Sequence, residues 1–234
     1  MDSSEIMASL MSQYQDEDGT LSGIQQEKFL EAIVSLQIIK KDIQFYKQSL
    51  HEAENEIRSI HKTGKALKDI VGLSFERHRE RVWKYFGFNV SKERHEAMFD
   101  VDWSITYKGE LIAFEEDKGH YVDSCFLERA LTGFCKTVNT YKKKGKPIPV
   151  LILHSFTRYN KFSEKLEEDM DTRKTEIRDE ILTKLVYTTL VECDRLPKKK
   201  WFSKDLFECY SVNASDELII KDIEFIRSLI PVSE

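Results

Sequence analysis

No stretch of this 234-residue chain holds the roughly 20 consecutive apolar residues that a membrane-spanning helix needs. Its opening, MDSSEIMASLMSQYQDEDG, lacks the basic start and long apolar segment of a secretory signal. An intracellular location is therefore expected, cytoplasmic or, in a eukaryote, nuclear, with no membrane partner. The four cysteines (Cys125, Cys135, Cys193, Cys209) include no CxxC pair and no histidine spacing suited to zinc, which points to ordinary reduced thiols. GxGxxG, GxxxxGK[ST], HExxH and GxSxG are all missing, and the six histidines are scattered. A basic surplus is missing too. The net charge of −5 excludes a uniform cationic coat for nucleic acid, but it leaves two local lysine loops, KKKGK at 142–146 and PKKKW at 197–201. What remains is 41% hydrophobic and 33% charged, a globular composition long enough for one domain with a real core plus an appendage.

After the loop signal DEDGT, Ser22 and Gln25 form a plausible capping box for a long helix. Phe29, Ala32, Leu36, Ile39, Ile43, Tyr46, Leu50, Ala53, Ile57 and Ile60 then recur in steps of three and four, a heptad seam. Such a seam needs a cover: a second protomer, the body of the chain, or the short N-terminal helix. HKTG at 61–64 ends or bends it. The spacing predicts a helical N-terminal region over 1–66, able to form a homodimer, and a second domain over 67–234.

From Gly72, LSFERHRERVWKYFGF reads as a helix with Phe75, Val82 and Phe86 inward, stopped by Gly87. FNVSKER is a short strand candidate. Phe99–Tyr107, a turn at Lys108-Gly109 and Glu110–Lys118 form a hairpin. Ser124 caps a helix with Leu127, Leu131, Phe134, Val138 and Tyr141 on one face, and PIPVLILHS suits a strand buried on both faces. A charged helix over 162–185, the strand VYTTLVEC, the ambiguous DLFECYSVN and a last helix capped by Ser215 complete the chain. The fold class expected is α/β, a mixed central sheet flanked by helices and preceded by the long heptad helix.

One hairpin carries an unusual load of acid. In FDVDWSITYKGELIAFEEDKGHYVD, side chains two apart share a face, so Glu116 and Lys118 lie together, as do Asp100 and Asp102. A turn at Lys108-Gly109 brings Asp102 beside Glu116 and Lys118 at the open end. Burying such a group costs several kcal/mol per ion unless a partner compensates. A divalent cation with oxygen ligands is such a partner, and an adjacent ammonium suits charge growing at phosphorus. The set serves metal-dependent phosphodiester hydrolysis; the bland alternative is a solvated acidic hairpin with a salt bridge.

DVDW, followed fourteen residues after Asp102 by Glu116-Asp117-Lys118, resembles the PD-(D/E)XK signature of restriction endonuclease-like nucleases, and the order helix, three-stranded meander, helix, strand resembles that family's core over about residues 70–195. Val101 stands where the motif has proline. Asp100 competes with Asp102, and Glu115 with Glu116, although only Glu116 lies two before Lys118. The resemblance implies a restriction endonuclease-like core and a DNA endonuclease, of type II restriction kind, using Mg2+ or Mn2+. It implies Asp102, Glu116 and Glu76 as metal ligands and catalytic residues, with Lys118 catalytic; Glu80 is the rival to Glu76. His120 and Tyr121, with Asp123, would line the substrate cleft. Lys136 occupies a helix position where family members place a polar residue near the metal. Lys142, Lys143, Lys144, Lys198, Lys199 and Lys200 could meet phosphates, with Trp201 and Phe202 packing beside the second loop. The alternatives are a nonspecific or structure-specific nuclease of repair, phage or effector type, and a non-catalytic interaction protein acting through its N-terminal helix.

Overall fold

The computed structural model describes residues 3–15, 22–63, 67–92, 101–121, 124–159, 184–193 and 214–231. Contacts divide the chain into two units, Met1–Phe45 and Tyr46–Glu234. The division falls inside the long helix.

The first unit holds α1 (Ser3–Tyr14) and the first part of α2 (Gly23–His61). The capping box forms: the Ser22 amide donates to Gln25 Oε1 at 2.7 Å, and the Gln25 amide to Ser22 Oγ at 3.5 Å. Tyr14 meets Phe29 with ring centroids 6.1 Å apart. The seam is not continuously covered here. Leu36 is exposed, and so are Ile24, Leu30, Val34 and Ile38, which form a second apolar stripe away from the seam.

In the second unit the same helix is deeply held: Tyr46, Leu50, Ala53 and Ile57 are buried. α3 (Leu67–Tyr85) starts before Gly72 and buries Ile70, Val71, Ser74, Phe75, His78, Arg79, Val82 and Trp83, one continuous face at helical spacing. Phe86 is only half-buried, because the helix has already ended. Gly87, at φ +87°, closes it with the Phe88 amide donating to the Trp83 carbonyl at 3.1 Å, the left-handed stop that glycine favours.

A five-stranded sheet follows, in the order β1 (Asn89–Ser91), β2 (Trp103–Tyr107), β3 (Glu110–Tyr121), β4 (Val150–Tyr159), β5 (Leu185–Cys193). β1, β2 and β3 are antiparallel neighbours; β4 and β5 join in parallel. Lys108 (φ 49°) and Gly109 (φ 87°) make the tight β2–β3 turn, both in the left-handed region that such hairpins need. α4 (Ser124–Lys143) supplies the crossover from β3 to β4. Phe134 and Val138 of α4 pack on Phe114, Leu151 and Leu153 of one sheet face. Each such burial stabilises by about 1.5–3 kcal/mol. α3 covers the other face, where Phe75 stacks on His154 with centroids 5.3 Å apart. A last helix, α5 (Asp216–Ser228), starts after Ser215, which sits at the capping position without making a side-chain cap bond. The α/β class, the mixed sheet and the long N-terminal helix are as the sequence implies. The charged segment 162–183, Asp100 and residues 194–213 lie outside the described residues.

Candidate active site

Alternation along β3 sorts its charges between two environments. Glu115 and Asp117 point toward α3, and Glu116 and Lys118 point the other way. Asp102 immediately precedes β2, whose first residue, Trp103, pairs with Glu115. Asp102 therefore lies level with Glu116, and its Oδ2 accepts the Asp117 amide at 2.7 Å. Lys118 Nζ is ion-paired with Glu116 and donates to the Asp117 carbonyl at 3.2 Å. Glu76 of α3 is close enough that its charge raises the proton affinity of both Asp102 and Glu116. The structure thus brings Asp102, Glu116, Lys118 and Glu76 into one cluster.

The electrostatics of that cluster are strained. Burial, then the charges of Glu116 and Glu76, push Asp102 up to about 7 against the pull of Lys118. Burial likewise raises Glu116, with Lys118 opposing and Glu76 adding to the rise. For Lys118 burial works against the ammonium, but Glu116 and Asp102 outweigh it and hold its pKa above the usual lysine value.

The rivals separate by geometry. Glu115 is fully buried on the α3 side, where Arg79 grips it with Nε–Oε1 and Nη2–Oε2 bonds of 2.9 Å each, and Trp83 Nε1 donates to it at 3.0 Å. Glu80 pairs with Lys84 at 2.6 Å on the helix surface. Glu116 and Glu76 are left as the cluster's members.

Other expected residues are dispersed. His120 and Tyr121 continue β3 past Lys118 by backbone alone. Lys136 is exposed on α4. Lys142, Lys143 and Lys144 are exposed at the end of α4, before β4 begins opposite Ala113. Lys118 lies opposite Ser155, farther along the same pair, so this lysine loop belongs to the other end of the sheet. The length of α4, at about 1.5 Å per residue, carries the chain away from the acid cluster, so any phosphate these lysines meet is a different one from that at the cluster. Lys198, Lys199, Lys200, Trp201, Phe202 and Asp123 lie outside the described residues.

Three contributors went unread in the sequence. Lys92, just after β1, reaches Glu76 Oε2 at 2.5 Å and lies over the Trp103 ring, 4.9 Å from its centroid. Nothing in its local pattern signals this. Arg79 is fully buried between Glu115 and Asp222, whose Oδ2 lies 2.5 Å from Nη1. Its spacing, four after Phe75 and three before Val82, could have flagged it as inward. Gly119 is the third. A Cβ there would meet the Val71 carbonyl oxygen at 2.9 Å and Phe75 Cβ at 3.0 Å, so glycine is what lets α3 approach β3 directly behind Lys118.

As donors, Asp102, Glu116 and Glu76 offer only carboxylate oxygen, which suits a hard divalent ion that keeps several waters. Among the described residues, no three His, Cys, Asp or Glu side chains already stand close enough to hold a metal ion. Two of the three acids are held instead by ammonium groups, Glu116 by Lys118 and Glu76 by Lys92. Also among the described residues, no helix is long and apolar enough to cross a membrane. A scan of protein-family models, a search of curated proteins and a search of solved structures each find no match to this chain.

Proposed function

We propose that this chain is a metal-dependent DNA endonuclease with a restriction endonuclease-like core, of the PD-(D/E)XK kind. One observation carries the reading: Asp102 and Glu116 share the open end of a hairpin with Lys118, and the proton affinities of both are raised by burial and by the charge of Glu76, that of Asp102 also by Glu116. A site that leaves acids in that condition is poised for a cation. Asp102, Glu116 and Glu76 would hold Mg2+ or Mn2+. The chemistry such an ion supplies when bound is charge neutralisation at phosphate and a more acidic water.

The side chains do the rest. The Asp117 amide fixes the angle of the Asp102 carboxylate through Oδ2. Glu116 anchors Lys118, whose ammonium then stabilises charge developing on the phosphoryl oxygens. Trp103, its indole N–H donating to Asp117 Oδ2 at 2.9 Å, keeps the strand below the site from rotating. Cutting both strands of a duplex needs two such sites, and homodimerisation through α2 would supply the second.

Incubation of the full chain with plasmid DNA is the test. Nicking or linearisation with Mg2+, and none with EDTA, is expected. Discrete bands identify site-specific cleavage of the type II restriction kind, and a smear identifies a nonspecific enzyme. Intact plasmid, single-stranded DNA and RNA under all metals would overturn the reading.

A second reading, an interaction protein acting through α2, is favoured by one observation. Ile24 and Leu30 are 70% and 60% exposed, in line with the exposed Val34 and Ile38. A protein that associates through this stripe but cuts nothing would establish it.

A further inference from the structure

We infer that Lys92 is the displaceable counter-ion of this site: it neutralises Glu76 until a divalent cation takes that carboxylate, and is then handed to a substrate phosphate. The inference rests on the nuclease reading and adds a part to it.

Placement comes first. Ser91 pairs with Ser104, so Lys92 leaves β1 level with Trp103, the residue after Asp102. Its ammonium lies 2.5 Å from Glu76 Oε2 and 4.9 Å from the centre of the Trp103 ring. That ring is buried and pinned through its N–H to Asp117 Oδ2 at 2.9 Å, so it is a fixed platform under the half-exposed Lys92 ammonium.

The two lysines of the site differ in how they are held. The Lys118 side chain is 14% exposed and has a second acceptor in the Asp117 carbonyl. The Lys92 side chain is 52% exposed and its carboxylate partner 19%. An ion pair that open to water is weak and exchanges readily. Charge balance points to the same lysine. With all five groups ionised, Glu76, Asp102 and Glu116 with Lys92 and Lys118 sum to −1 (three acids against two ammoniums). Adding a divalent cation with both lysines in place gives +1, and the departure of Lys92 restores neutrality. Once released, its four-carbon stem can swing over Trp103 toward the anionic backbone of a nucleic acid.

Calorimetric titration of the full chain with Ca2+ tests this without turnover. Lys92→Met should bind Ca2+ about two- to fivefold more tightly than wild type, the gain from removing a weak competitor. Lys92→Arg, which keeps the charge, should stay near wild type. Lys108→Met, removing a lysine at the hairpin turn, should leave the affinity unchanged. With Ca2+ present, the salt dependence of duplex binding should lose about one phosphate contact in Lys92→Met. Lys92 is exposed enough for the variant to fold, which circular dichroism checks. If wild type takes up no Ca2+, the metal reading fails and this inference with it. If wild type binds Ca2+ and Lys92→Met binds it equally or less tightly, the counter-ion role alone is overturned. An unchanged salt slope overturns the transfer to phosphate.

Discussion

The two faces of β3 treat the same kind of residue in opposite ways. Toward α3, Glu115 receives a two-pronged guanidinium and an indole N–H, and Asp117 receives a second indole N–H. Tyr46 and Asp222 complete the shell around Arg79. Asp102 and Glu116 of the opposite face, with Glu76 of α3 near enough to act on both, have two lysines between them, and their charges bear on one another. Burial alone therefore does not separate the two sets of acids. What distinguishes the two sets is how they are held: Glu115 and Asp222 are gripped by fully buried N–H and O–H donors, whereas the lysines paired with Glu116 and Glu76 keep 14% and 52% of their side chains open to water, where a cation can compete with them.

Paired substitutions break this comparison most sharply. Glu116→Ala should lower cleavage about a thousandfold, a loss on the order of 4 kcal/mol in transition-state stabilisation, with little change in melting temperature. Glu115→Ala should do the reverse. It removes the acceptor of three buried N–H donors, two on Arg79 and one on Trp83, costs about 3–5 kcal/mol of stability and lowers Tm by roughly 10 °C, measured by thermal denaturation. If Glu115→Ala abolishes cleavage in protein that melts like wild type, the two faces have been assigned the wrong way round.

A pH series sharpens it next. Asp102 is raised from 3.8 to about 7, so the folded chain binds more protons than the unfolded one in that interval. Stability of the protein in EDTA should therefore fall by a few kcal/mol as pH rises from about 4 to 7. Asp102→Asn should flatten the slope, and Ca2+ at pH 8 should recover the loss. Denaturant melts at stepped pH read this directly. A slope of opposite sign in EDTA would show that burial and its neighbours do not raise Asp102.

The smallest effect is expected at Gly119. Gly119→Ala forces α3 away from β3 and should cost about 1–3 kcal/mol. Cleavage should fall about tenfold, because the displaced backbone carries Lys118. Loss of stability with full activity would show that the close approach serves packing only.

Much of the architecture was legible because it depends on periodicity. The parallel strand β4 reads as an unbroken apolar run since both its faces are covered, and the β2–β3 turn reads from Lys108-Gly109. Asp102, Glu116 and Lys118 were legible because alternation within one short hairpin fixes their faces. Arg79 was not, since an arginine on a helix ordinarily lies in water, and its partners Glu115 and Asp222 come from distant segments. Lys92 escaped for a related reason: its partner Glu76 is set by the packing of α3 beside the sheet, not by local pattern. Along α2, the seam holds at Tyr46, Leu50, Ala53 and Ile57 but not at Leu36, because heptad spacing states that a face is apolar and not that anything covers it.

Sequence separation gives these two charge systems different places in the order of folding. The Asp102–Asp117 contact closes a loop of 15 residues, within reach of an isolated hairpin. The Arg79–Asp222 bond spans 143 residues and cannot form until the C-terminal helix has been made and docked. A nascent chain therefore brings Asp102 against β3 early and bolts that strand to the helices behind it last.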